Sequence, residues 1–368
     1  MAKNIALYLD GTWNDPESRT NVRVLYEQTR GVDIHASPKK DQRNRARIEA
    51  AQQLRYYDQG VGTRFFNLFR GGVFGRGVAN NIGEAYDALA RHYQDGDLVY
   101  VFGFSRGAFT ARTLVGVLDC YGLIDKVSGK QLAVHYLEHT GRGKACKCKA
   151  QVKKRIENNS PVKIKIKFLG VWDTVIAVGN PSSKRSNRKN KQALSDPHKN
   201  TVDLYKTFKN TNVCSIVEHA VHALALDEFR SNFQHTPWTG SDQPTISIDQ
   251  RWFVGAHANV GGGYRDNHLS RIPRYWIQEQ ASKLGLKYYR LLTPPDHAVL
   301  EPVIDSYAAF FSGVYKQLYE RSIRSPQLGE NTLEDLHPSV YDYLQANRNY
   351  RPRNIPSDML DQPDKKVE

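Results

Sequence analysis

Gly103-Phe104-Ser105-Arg106-Gly107 sets a serine between two glycines in the spacing G-x-S-x-G. A serine hydroxyl is a weak nucleophile at neutral pH. It needs a base to take its proton, and the base needs an acid to hold it in the working tautomer. Asp173 closes the apolar run Phe168-Leu169-Gly170-Val171-Trp172, and His257 follows Trp252-Phe253-Val254-Gly255 just ahead of a glycine-rich stretch. Serine, acid, histidine is the chain order that accompanies a nucleophile elbow. The chemistry would be acyl transfer: Ser105 attacks an ester carbonyl with His257 as base and Asp173 as the orienting acid. The amide of Arg106, at the start of a helix, would face the developing oxyanion, with a second N–H from Gly11 or Thr12. Asp227 is the second candidate acid, in the helix-like stretch 220–230. His219, His222, His235 and His268 stand behind His257 as bases, the first two as helical packing or surface residues.

Such side chains need a scaffold. Ile5–Leu9 and Leu54–Tyr57 predict strands, and Leu98–Phe104 is a continuous apolar run of the kind buried on both faces. It passes through the elbow directly into a predicted helix over Ala108–Leu118. A helix is expected from about Asn81 to His92, with Ile82, Ala85, Tyr86 and Leu89 on one face, and a strand over Ile164–Val171. Gly71–Gly77 reads as a loop near the site. Strands alternating with helices predict an α/β fold, a mostly parallel sheet with helices on both faces, and the strand–elbow–helix unit makes it an α/β-hydrolase. One catalytic domain is expected over residues 1–290. A helical C-terminal segment, 291–368, would pack on it, its stripe from Leu300 through Val303, Tyr307, Phe311 and Val314 to Leu318 serving as core.

Other motifs fare worse. Asp10-Gly11-Thr12 has the look of a phosphatase motif, but Tyr8 occupies the nucleophile position and cannot form an aspartyl-phosphate. Gly75-x-Gly77 has Asn80 where a dinucleotide fingerprint wants a third glycine. Cys146-x-Cys148 is narrower than ordinary zinc-ligand spacing. No cofactor is expected. The four cysteines form no disulfide framework, and no signal peptide or stretch of ~20 apolar residues stands out, so a chain made in the cytoplasm is expected, with export only by a route that needs no leader.

The net charge of +14 points to an anionic partner or to solubility alone. Two basic segments read as surface insertions, at about 140–160 (Arg142–Arg155) and 182–200 (Ser182–Lys199), and would suit peripheral contact with an anionic membrane. A nucleic-acid role lacks a recognition module and the interleaving of basic and aromatic residues that stacking requires.

Together the motifs resemble the α/β-hydrolase family that includes the first class of type VI secretion phospholipase effectors. The resemblance is carried by Leu9-Asp10-Gly11-Thr12-Trp13-Asn14, Gly60-Val61-Gly62-Thr63, Gly103–Ala108 and Gly170-Val171-Trp172-Asp173-Thr174-Val175. It continues through His222–Glu228, His257–Tyr264 and Leu336-His337-Pro338-Ser339-Val340. It implies a triad of Ser105, Asp173 and His257 acting on phospholipid acyl esters. Asn259 departs from the aspartate usual two residues after the histidine, and little beyond the core is expected to serve a secretion adaptor. The expected function is a serine carboxylic-ester hydrolase, a phospholipase of the A type, with a phospholipid or other acyl ester as substrate and an immunity or secretion protein as a further partner. The alternatives are an esterase on a non-lipid acyl ester, or a basic nucleic-acid- or membrane-binding protein on a hydrolase scaffold.

Overall fold

Along β1 (Asn4–Leu9), Ile5, Leu7 and Leu9 enter one buried cluster while Ala6 and Tyr8 enter another. A strand points alternate side chains to opposite faces, so a wholly apolar strand needs cover on both. In the computed structural model this cover is helical. The structure describes residues 2–11, 19–60, 71–124, 127–139, 159–176, 211–264, 268–293, 302–309 and 315–360. Thr12, Thr63, both basic insertions, Cys146, Cys148, Leu300, Phe311 and Val314 lie outside them.

The elements run α1 (Asn21–Gln28), β2 (Val32–Asp33), α2 (Pro38–Gln42), α3 (Arg45–Ala50), β3 (Gln53–Asp58), α4 (Gly71–His92), β4 (Leu98–Phe104) and α5 (Arg106–Tyr121). They continue with α6 (Gly129–His139), β5 (Ile166–Trp172), β6 (His219–Ala225), β7 (Ser247–Phe253), α7 (His257–Gly261) and α8 (His268–Lys283). The C-terminal segment adds α9 (Ser306–Ala309), α10 (Tyr315–Leu318), β8 (Glu334–Leu336), α11 (Pro338–Ala346) and α12 (Ser357–Leu360). The strands form one sheet in the order β2-β3-β1-β4-β5-β6-β7-β8, and every pairing is parallel. Residues of α4, α5 and α6 cover one face, those of α1 and α8 the other. This is the α/β-hydrolase architecture expected.

Strand order reverses between β1 and β4, where Leu9 pairs with Gly103. Crevices at such a switch point, beyond the strands' carboxyl ends, are where open parallel sheets bind ligands. Asp10 and Ser105 therefore leave the sheet side by side.

Three local expectations are corrected. Gly71–Gly77 is not a loop but the first two turns of α4, which continues to the buried Val78, Ala79, Ile82, Tyr86 and Leu89. That packing outweighs a glycine cost of about 1 kcal/mol per residue. The stretch 220–230 is not helical. His219–Ala225 is β6, and Ala220, Ala223, Leu224 and Ala225 are fully buried. An alanine-rich strand covered on both faces shows no period of two and imitates a helix. The stripe through the C-terminal segment is not one helix, since Val303 and Ile304 precede α9 in irregular chain. This segment carries short helices and also supplies β8, which pairs with β7 through Gln250–Trp252.

Candidate active site

Ser105 occupies the turn between β4 and α5 with φ 59 and ψ −122, a conformation that costs a non-glycine residue about 1–3 kcal/mol. The flanking glycines explain how the turn closes. A Cβ on Gly103 would lie 2.5 Å from the carbonyl oxygen of Gly107, and one on Gly107 would strike the carbonyl of Leu9. The Ser105 amide donates to the carbonyl of Trp172 at 3.0 Å, tying the elbow to the end of β5. A serine at a helix N-cap ordinarily caps the helix with its own hydroxyl. Here it does not: Oγ lies 2.8 Å from Nε2 of His257.

Across the same ring, Nδ1 of His257 lies 2.5 Å from Oδ2 of Asp173. With Nδ1–H donating to the carboxylate, Nε2 is left to accept the serine hydroxyl's proton. Asp173, at φ 38, is held by its amide to the carbonyl of Ala223 at 2.7 Å. His257 opens α7, a short helix that takes up the start of the glycine-rich stretch. Its ring lies 4.6 Å from that of Phe104 and 5.1 Å from that of Phe233, and its amide donates to Oε2 of Glu228 at 3.2 Å. Burial lowers the His257 pKa below the ordinary histidine value, an effect the Asp173 carboxylate partly offsets.

Arg324 completes the cluster, and nothing in the sequence reading pointed to it. Its Nη1 donates to Oδ1 of Asp173 at 2.6 Å and Nη2 to Oδ2 at 3.1 Å. The same nitrogens reach the carbonyls of Ala225 and Phe233 at 3.0 and 2.6 Å. Burial opposes ionisation of Asp173, but Arg324 and the bond to His257 outweigh it and hold the carboxyl well below the usual range. Arg324 stands 151 residues from its partner. The string Ile323-Arg324-Ser325 has no local period or motif that could have marked it.

The other candidates lie elsewhere. Asp227 accepts the Gly255 amide at 2.7 Å and the Tyr350 hydroxyl at 2.8 Å. His222 is buried and accepts the Thr174 amide at 3.1 Å. Burial, with the charge of Arg112, pushes its pKa down to about 3. His235 faces Trp252 at 5.0 Å. His219 sits at the opposite, amino end of β6, and His268 opens α8. The amide of Arg106 is the first of α5, at the positive end of the helix dipole. That of Gly11 donates to Oδ1 of Asp10 at 2.7 Å and so already has an acceptor. Asn259 returns its side-chain oxygen to the amide of Ala256 at 3.0 Å, an acceptor role an aspartate would also fill.

An open parallel sheet with a strained serine at the β4–α5 turn, hydrogen-bonded through a histidine to a buried carboxylate, is the architecture of an α/β-hydrolase. Residues 3–280 match the model of the type VI secretion Tle1-like phospholipase effector catalytic domain, and the chain belongs to that family. An uncharacterised protein of Saccharomyces cerevisiae is 26% identical over 261 residues, 64% of this chain and 33% of that protein. An uncharacterised Pseudomonas aeruginosa crystal structure shares 18% identity at a TM-score of 0.47, covering 94% of this chain and 52% of its own. The Tle1 effector bound to the VgrG spike of the type 6 secretion system shares 19% at 0.39, covering 72% and 51%. The chain thus spans about a third to a half the length of these relatives. Among the described residues no helix is long and apolar enough to cross a membrane.

Proposed function

We propose that the chain is a serine carboxylic-ester hydrolase acting on phospholipid acyl esters, with Ser105 as nucleophile, His257 as general base and acid, and Asp173 as the orienting carboxylate. The observation that carries this reading is the unbroken chain Ser105 Oγ–His257–Asp173, at 2.8 and 2.5 Å, on a strained elbow. In the first step Ser105 Oγ bonds to the ester carbonyl carbon while its proton passes to Nε2 of His257. The negative charge gathers on the carbonyl oxygen, facing the Arg106 amide at the α5 terminus. Collapse breaks the ester C–O bond, and the imidazolium returns its proton to the leaving alcohol. Water, deprotonated by the same imidazole, then releases the fatty acid and regenerates the serine. Arg324 acts through Asp173 and is a positioning residue.

Family membership favours a phospholipid over another ester. Ser105→Ala should fold normally and lose on the order of 10⁴–10⁶ in kcat on phospholipid vesicles and on a soluble short-chain ester. A well-folded variant keeping more than about a tenth of the activity would reject the nucleophile. Wild-type turnover of the soluble ester with none on vesicles would reject the lipid substrate and leave the esterase.

A further inference from the structure

Arg271 and Arg274 share one face of α8, Arg19 lies near enough to add its charge to theirs, and no described carboxylate pairs with any of the three. Arg19 precedes Thr20, whose hydroxyl donates to Asp10 at 2.5 Å and whose backbone bridges Gly262, five residues after His257. The next residue, Asn21, donates to the carbonyls of Val260 and Ser270 at 2.8 and 3.0 Å. Arg271 follows Ser270, and Arg274 stands one turn further along α8. These bonds stitch the start of α1, the end of α7 and the first turns of α8 together on the carboxyl rim of the sheet, the rim that carries Ser105.

Two buried guanidinium groups elsewhere are answered by carboxylates, while a third, Arg112, donates to the Thr236 carbonyl. Arg324 has Asp173, and Arg230 has Glu228 at 2.8 Å. Arg274 is half-buried, and its Nε is fully buried without a hydrogen-bond partner. Burial pushes its pKa down to about 10, helped by the charges of Arg271 and Arg19. Gathering three like charges around an unpaired buried donor costs free energy, and a bound anion would recover it. Guanidinium forks match the paired oxygens of a phosphate and bind it more strongly than neutral donors do.

We propose that Arg19, Arg271 and Arg274 form a phosphate subsite that receives the phosphodiester of the phospholipid whose acyl ester lies at Ser105. The proposal rests on the hydrolase reading above and adds to it the group that selects phospholipids over phosphate-free acyl esters.

The test separates the two. Binding is measured in the Ser105→Ala protein, which does not depend on turnover, with dihexanoyl phosphatidylglycerol, dihexanoylglycerol and inorganic phosphate as probes. Adding Arg274→Gln, or separately Arg271→Gln on the exposed side chain, should weaken the phospholipid about tenfold or more and the diacylglycerol far less. With Ser105 intact, each variant should lower the ratio of kcat/KM on phospholipid to that on diacylglycerol by a similar factor. Without ligand, Arg274→Gln should melt no lower than the parent, because it removes an unpaired buried charge, whereas loss of a merely structural arginine would lower Tm. Equal losses on both lipids would overturn the subsite. So would phosphate binding that Arg274→Gln abolishes while the phospholipid ratio stays unchanged, since the cluster would then hold free phosphate. If the wild type hydrolyses neither ester, the hydrolase reading fails, and the binding titrations still decide whether the arginines hold the lipid phosphate.

Discussion

Asp173 and Asp227 leave neighbouring parallel strands at the same edge of the sheet, β5 and β6, and are 0% and 4% exposed. Burial raises the cost of ionising both, yet their states diverge. Asp173 receives two N–H groups from Arg324, the imidazole of His257 and the Ala225 amide at 3.1 Å, and stays ionised. Asp227 receives one amide and one phenol, with no cation in hydrogen-bond reach among the described residues, and burial pushes its pKa up to about 6. Burial at a strand end therefore does not decide a carboxylate's charge state, whereas a cation within hydrogen-bond reach does.

Asp173→Asn should break this comparison most severely. An asparagine can favour the wrong tautomer of His257, and such a loss costs about 10⁴ in kcat. It also leaves Arg324 buried against a neutral amide, and removing one partner of a buried pair costs about 3–5 kcal/mol. The double variant Asp173→Asn/Arg324→Met should regain much of that stability while staying inactive. Kinetics on a soluble ester and thermal melts of the three proteins provide the check. Near-normal activity in Asp173→Asn would move the orienting acid elsewhere.

Arg324→Met should have the next largest effect, with a loss in kcat smaller than that of Asp173→Asn by about tenfold or more. The informative readout is pH. In the wild type the Arg324 charge offsets part of that of Asp173, and burial, which the carboxylate opposes, holds the His257 pKa below the ordinary histidine value. Without the guanidinium, the bare carboxylate stabilises the imidazolium, and the acid limb of kcat/KM moves to higher pH. A purely structural arginine would lower activity at all pH values without moving the limb.

The parts legible in sequence were those whose partners are near in the chain or whose geometry is written in residue types. The elbow needs Gly103 and Gly107 because backbone passes where a Cβ would be, and Leu98–Phe104 announces a two-faced strand by its unbroken apolar run. Asp173 and His257 could be nominated because each ends a strand-like run. What stayed hidden depends on contacts across the fold. Arg324 and Tyr350 reach the two carboxylates from beyond residue 280, where the family match ends. The Gly11 amide is occupied by its own neighbour's side chain, a local rotamer that no spacing encodes. At 71–77 a helix forms where a loop was expected, and at 220–230 a strand where a helix was expected, because glycine or alanine leaves propensity little to say against packing.

The smallest effect belongs to Asp227→Asn, and it shows in stability rather than catalysis. Its amide and carboxylate bond to Gly255, two residues before His257, so it braces the approach to α7 without touching the imidazole. An asparagine oxygen can still accept the Gly255 amide, and kcat should stay within about threefold of wild type. The sign of the pH dependence follows from the raised pKa. Near pH 5 the unfolded chain has released this proton while the folded protein still holds it, so stability is lost as pH rises from about 4 through about 6. The loss attributable to Asp227 is on the order of 3 kcal/mol. His222 and His235, held neutral by burial with pKa values pushed down to about 3, tilt the curve the other way over the same range. Their contribution is common to both proteins and cancels in the difference. Urea unfolding of wild type and Asp227→Asn at pH 4, 5, 6 and 7 should therefore give a difference that grows in favour of the variant up to about pH 6 and then levels off. A difference independent of pH would mean that Asp227 is ionised throughout, paired with a cation as Asp173 is with Arg324.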